Sequence, residues 1–192
     1  MSETTQRERP RLYSHITKSS FLHVEDALEI GKLRLFAGHY KKGNGSTSHT
    51  AHWLDVADAR VLMSDMAWAR PINYVEFKGT GRGDQAVSRV LKVKTSGDKV
   101  WFRLETGPGQ VIGQGAVKPK GEPTTVVNVP FATWDARKLA FAVLSYLQAA
   151  AMLSHKPSGG DDLDQFFQDD YQPNGFEQAP DGVADQAPGD QP

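Results

Sequence analysis

The chain has 192 residues, with 22 Lys and Arg against 23 Asp and Glu, and no cysteine. The lack of cysteine excludes disulfides, thiolate metal sites and a cysteine nucleophile. No apolar run approaches the ~18 residues that cross a bilayer, and Met1 to Arg11 lacks the apolar core of a signal peptide, which together fit a cytoplasmic protein.

The near-zero net charge hides two opposed parts. From Pro157 to Pro192 there are nine acidic residues and no Lys or Arg, which leaves 14 acids against all 22 basic residues in 1–156: a body of +8 and a tail of −9. A basic body beside a tail too polar to fold points to a polyanion-binding domain with an attached competitor or partner hook. A merely solubilising tail is the alternative.

Residues 1–18 read as a flexible basic arm with Arg7, Arg9, Arg11 and Lys18. Phe21–Tyr40 alternates like a pair of strands, Lys41–His49 has the composition of a loop, and Thr50–Leu54 reads as a short strand. Asp55 or Asp58 then caps a helix through Ala69, with Ala59, Leu62, Met63 and Met66 on one face, stopped by Arg70-Pro71. The pattern restarts with a strand at Ile72–Lys78, a glycine-rich loop at Gly79–Gly83, and strands at Ser88–Lys94 and Val100–Glu105 joined around Ser96-Gly97-Asp98. Gly107-Pro108-Gly109 has turn chemistry. Strands at Gln110–Lys118 and Thr124–Val129 lead to a strong helix over Thr133–Leu153.

Each half is thus a run of strands closed by a helix, with Asp58-Ala59-Arg60-Val61-Leu62 echoed by Asp135-Ala136-Arg137-Lys138-Leu139. The expectation is an α+β fold: two strand-plus-helix repeats (about 21–70 and 72–153) forming antiparallel sheets with two helices, a folded domain over 19–156, and a disordered acidic tail over 157–192.

Strand periodicity carries the functional argument, because alternate side chains face opposite sides. Val100, Phe102 and Leu104 share one face, and Lys99, Trp101 and Arg103 the other. Leu33, Leu35 and Ala37 oppose Lys32, Arg34, Phe36 and Tyr40. Lys92 and Lys94 leave the sheet together, Tyr74 and Lys78 share a parity, and Arg82 in the glycine-rich loop is placed to touch a phosphate. Cations interleaved with aromatics suit single-stranded nucleic acid: bases stack on the rings while the cations meet the phosphates. A duplex hides its base faces. The competing reading buries Trp101, with Lys99 and Arg103 snorkelling past it.

With these two halves and basic-aromatic faces, the chain from Phe21 to Leu153 resembles the Whirly and PC4-like single-stranded-DNA-binding proteins. That resemblance implies a nucleic-acid-binding sheet and homo-oligomers; no individual site residue is carried over from it. The tail stretch containing Asp161, Asp162, Asp164, Phe166, Phe167, Asp169 and Asp170 is similar to the acidic, aromatic tails of bacterial single-strand-binding proteins, which implies recruitment of replication or repair partners or competition with DNA.

Other chemistries find less support. His49-x-x-His52 with His39 lacks a carboxylate that would complete a metal motif. Asp55 and Asp58 sit where a helix cap belongs. Neither Gly43-Asn44-Gly45-Ser46 nor Gly79–Gly83 ends as a phosphate-binding P-loop does. The sequence therefore reads as a non-enzymatic, sequence-independent single-stranded-DNA-binding protein of replication, recombination or repair, with no cofactor, metal or membrane partner. An RNA binder or transcription cofactor, or a protein-interaction module, are the alternatives.

Overall fold

The computed structural model describes residues 9–154 apart from 42, 44, 83–84 and 114–115, and of residues 82 and 85 only the backbone. The acidic tail lies outside the described residues. In chain order come β1 (Arg11–Ile16), β2 (Ser20–Ala27), a 3-10 turn at Leu28–Ile30, β3 (Lys32–Lys41), β4 (Gly45–Asp55) and α1 (Val56–Ala67). Then follow β5 (Asn73–Arg82), β6 (Gln85–Ser96), β7 (Lys99–Val111), β8 (Val117–Pro119), β9 (Thr125–Ala132) and α2 (Thr133–Ser154). The first four strands form antiparallel sheet A in sequential order. Sheet B runs β5-β6-β7, and the far edge of β7 is shared: β9 pairs along Lys99–Thr106, β8 along Gly109–Val111. The fold is α+β, two sets of antiparallel strands each closed by one helix. No described helix is long and apolar enough to cross a membrane.

Alternation builds the core. Leu22, Val24, Leu33, Leu35, Ala37 and Leu54 of sheet A meet Leu91, Val93, Phe102, Leu104, Val129 and Phe131 of sheet B in one cluster. The helices close it with Ala59, Leu62 and Met63 on α1 and Ala136, Leu139 and Ala140 on α2, so the repeated D-A-R-x-L places its Ala and Leu in the core in both halves. Its arginines act reciprocally. Arg60 donates to the Leu147 carbonyl of α2 (3.1 Å) and Arg137 to the Ala67 carbonyl at the end of α1 (3.0 Å). Residues three apart share a helix face, which is why each motif can present an Ala-Leu pair inward with the intervening Arg toward the other helix.

Five expectations are corrected. Residues 11–16, expected within a flexible arm, form β1, held because His15 bonds the Pro130 carbonyl (3.0 Å) and stacks on Phe131. Ser46–His49, expected in a loop, extends β4, since it pairs with β3 across a bulge at His39/Tyr40. Asp55 occupies the cap position of α1, yet its carboxylate makes no capping bond; Lys32 and Lys78 take it instead.

Gly107-Pro108-Gly109, expected as a turn, lies inside β7; the strand expected at Gln110–Lys118 is instead the end of β7, the tip of a hairpin and β8. The glycines serve close approach rather than turning. A Cβ on Gly109 would lie 2.4 Å from Val117 Cγ1, and one on Gly79 would lie 2.6 Å from Val117 Cβ. Val117 thus drops into a seat from which side chains are missing. Gly109→Ala should lower stability by about 1–3 kcal/mol, the usual cost of overpacking, read as a shifted midpoint in urea with an unchanged m-value.

Candidate nucleic-acid interface

Both sheets bury one face in the shared core, so each presents its other face outward. The cations and aromatics fall on both. On sheet A, β2, β3 and β4 bring together Phe21, His23, Arg34, Phe36, His49 and Trp53. Phe36 lies 5.6 Å from Phe21 and 5.5 Å from His49 between ring centroids. The Arg34 guanidinium sits 4.6 Å from the Phe36 centroid and 5.9 Å from that of Trp53, and Arg89 approaches Trp53 to 5.2 Å from sheet B. Phe36, Arg34, Trp53 and Arg89 thus form a ladder of alternating ring and cation. Burial, then the nearby Arg11 charge, pull the His23 imidazole below its ordinary pKa, which favours its neutral ring in the stack against Phe21.

On sheet B, register places Lys94 opposite Trp101 and Lys92 opposite Arg103, and Phe77 opposite Val90. Trp101 is 37% exposed and Phe77 55%, so Trp101 is not the buried core residue of the competing reading. Lys92 (2.9 Å) and Arg103 (2.5 Å) both hold Glu105. Among the described residues no carboxylate pairs with Lys94 or Lys99 in an ion pair.

The site residues inferred from alternation therefore divide. Lys32, Arg34 and Phe36 lie on the outer face of sheet A; Lys92, Lys94, Lys99, Trp101 and Arg103 lie on that of sheet B. They belong to two faces rather than one. Three expectations fail. Tyr40 follows the β3–β4 bulge, which breaks its parity, and its hydroxyl donates to the Thr17 carbonyl. Tyr74 packs against the core, where burial and then Glu76 raise its phenol pKa. Lys78 points inward to Asp55 and Glu76. The error lay in β5, whose outward residues are the apolar Val75 and Phe77 rather than Tyr74 and Lys78. The Arg82 side chain, like tail residues Asp161, Asp162, Asp164, Phe166, Phe167, Asp169 and Asp170, lies outside the described residues.

Where β4 crosses sheet B, a polar chain joins the two. Thr50 meets Thr106 (2.5 Å), buried His52 bonds Glu76 (2.7 Å), Glu76 holds Lys78 (2.8 Å), and Lys78 and Lys32 share Asp55. His52 and His49 point to opposite faces of β4, so the histidines do not converge as metal ligands. Asp55, Asp58 and Glu76 do converge, but the Lys78 ammonium stands among them. Beside this crossing lies a cleft of about 680 Å³, bounded by Trp53 and Ile30 on one side and by β5 and the β7–β8 hairpin on the other.

No family model and no curated protein matches the sequence. Solved structures do match. WHY3 from Arabidopsis thaliana superposes with a TM-score of 0.50 at 18% identity, over 74% of this chain and 89% of that one. The plant transcriptional regulator PBF-2 superposes with a TM-score of 0.50 at 17% identity, over 80% of this chain and 99% of that one. The chain has the Whirly fold. Among the described residues the outer sheet faces carry exposed rings beside cations, and α2 adds Trp134 with Arg137 5.6 Å from its ring centroid.

Sequence reasoning missed Trp53, Arg89, Phe21, His23 and Phe77. Trp53 was legible in principle: it alternates with His52 and Leu54 and pairs with Arg34. Arg89 was not, because it projects from the core-facing side of β6 and meets Trp53 only where the sheets cross.

The paired carboxylates set a pH dependence. Hydrogen bonds from Lys32 and Lys78 hold Asp55 below its ordinary pKa. Burial pushes the Glu105 carboxyl up, but the bonds from Arg103 and Lys92 outweigh it and leave it lowered. A carboxyl lowered on folding stabilises fully above its unfolded value of about 4, and that contribution is lost as pH falls through the lower folded value. Urea midpoints should therefore fall below about pH 5, and fall less steeply in Glu105→Gln; equal slopes would remove Glu105 from this account.

Proposed function

We propose that this protein binds single-stranded nucleic acid without strong sequence preference, chiefly through the outer face of sheet B. The carrying observation is Trp101, exposed and in register with Lys94, with Lys99 and Arg103 beside it on the same strand face. An exposed indole among cations is a poor solution for solubility and a good one for stacking a base while neutralising its phosphates. The aromatic face of sheet A offers a second track. The Whirly fold, seen also in a plant transcriptional regulator, supports the reading.

DNA is the ligand we favour, in replication, recombination or repair; an RNA ligand or a transcriptional role is the alternative, and 2′-hydroxyl recognition separates them. We read the chain as a binding protein rather than an enzyme, acting in the cytoplasm, with its acidic tail recruiting partners or competing for the basic faces. Trp101→Ala should weaken binding of single-stranded DNA by about 1–3 kcal/mol with little change in salt slope. Lys99→Ala should lower that slope by about 0.7. Fluorescence anisotropy at two or more salt concentrations measures both; equal slope losses in the two variants would contradict this division of labour.

The helices support self-association. Val61, Trp134 and Phe141 on the helices, and Trp68 just past the end of α1, are each more than half exposed, and exposed large apolar side chains gathered in a patch mark interaction surfaces. Val61→Glu combined with Phe141→Glu should convert an oligomer into monomers in sedimentation velocity. A wild-type chain already monomeric at micromolar concentration would dismiss this interface.

A further inference from the structure

We propose that the cleft beside the sheet crossing is a pocket for one unstacked nucleotide of the bound strand. The inference rests on the single-strand reading and extends it to the cleft where the edge strand β5 meets Trp53 of sheet A. Its volume, about 680 Å³, falls within the 300–1,000 Å³ usual for small-ligand sites. Phe77 and Trp53 give it aromatic walls, and Ile30, Ile112 and Val117 apolar ones. Its cations are Lys32, Lys78, Arg89 and Lys118, and among the described residues no carboxylate lines it.

The cations are not equivalent. Lys32 and Lys78 are already shared with Asp55, so their charge is largely answered. Among the described residues no carboxylate forms an ion pair with Arg89 or Lys118. A phosphate entering the cleft would therefore be met chiefly by Arg89 and Lys118, with its base against Phe77 and the aliphatic walls. This combination fits a nucleotide better than an acidic peptide, which would bring charge but no flat apolar group for the ring-lined wall. Trp53 belongs both to the cleft and to the ladder with Arg34 and Phe36, so a strand on sheet A can place one base in the cleft without leaving that face.

The test uses the full chain with dAMP, deoxyribose 5-phosphate and single-stranded oligothymidylate as separate probes. Binding is followed by calorimetry for the two small molecules and by anisotropy for the strand. The variants are Phe77→Ala and Ile112→Glu, both at exposed side chains, with a thermal melt confirming that each folds. We expect saturable binding of millimolar dAMP, weaker binding of the sugar phosphate, and at least a ten-fold loss for dAMP in either folded variant. Absence of dAMP binding to the wild-type chain, equal binding of dAMP and sugar phosphate, or undiminished dAMP affinity in both variants would each overturn the pocket. Strand binding that persists in those cases leaves the single-strand reading standing. Binding of dAMP without strand binding would keep the pocket and overturn the strand reading instead.

Discussion

The surface depends on how β4 lies across sheet B. Two sheets packed through aliphatic faces alone can slide, because hydrophobic attraction has no direction. The chain from Thr50–Thr106 through His52–Glu76 to Lys78–Asp55–Lys32 supplies that direction. These groups are buried or half-buried, so leaving one unpaired carries a desolvation cost. Hydrogen bonding thereby selects one crossing, while the apolar core supplies most of the attraction. The same crossing brings Arg89 to Trp53 and opens the cleft.

A second theme is that the outward cations are restrained by built-in carboxylates. Glu25 holds Arg34, Asp55 holds Lys32, and Glu105 holds both Lys92 and Arg103. Such pairs keep long side chains in defined positions, which lowers the entropy lost when an external anion arrives. They also reduce the charge that the anion meets. The faces are thus more ordered and less electropositive than the body's +8 suggests, and rings gain weight relative to charge.

Alternation made much of this legible. The strand pair in Phe21–Tyr40, the α1 and α2 positions, the two-half architecture and the opposed faces of β3 and β7 all follow from period-2 and period-3.6 patterns. What escaped the sequence has physical reasons. Glycine at 107 and 109 has the same composition whether it turns the chain or admits the backbone at Pro123 and the side chain of Val117, and only tertiary contact distinguishes the two. Tyr74 and Lys78 alternate cleanly, but parity does not reveal which side is inward when both carry mixed polarity; the polar inward face of β5 serves the crossing. Tyr40 was displaced by a bulge, which alternation cannot anticipate.

The placement of β1 has a kinetic meaning. His15 reaches Pro130 and stacks on Phe131, while Tyr146 of α2 bonds Asp26 of β2 (2.6 Å). Strands early in this sequence therefore find their final neighbours among residues more than a hundred positions later. Loop closure over such separations is slow, and strands waiting for it keep apolar surface in water. α1, β6 and β7 emerge in time to cover part of the apolar face of sheet A, but its cover is completed only when β9 and α2 follow, so the strands of sheet A stay exposed to misassociation until folding is complete.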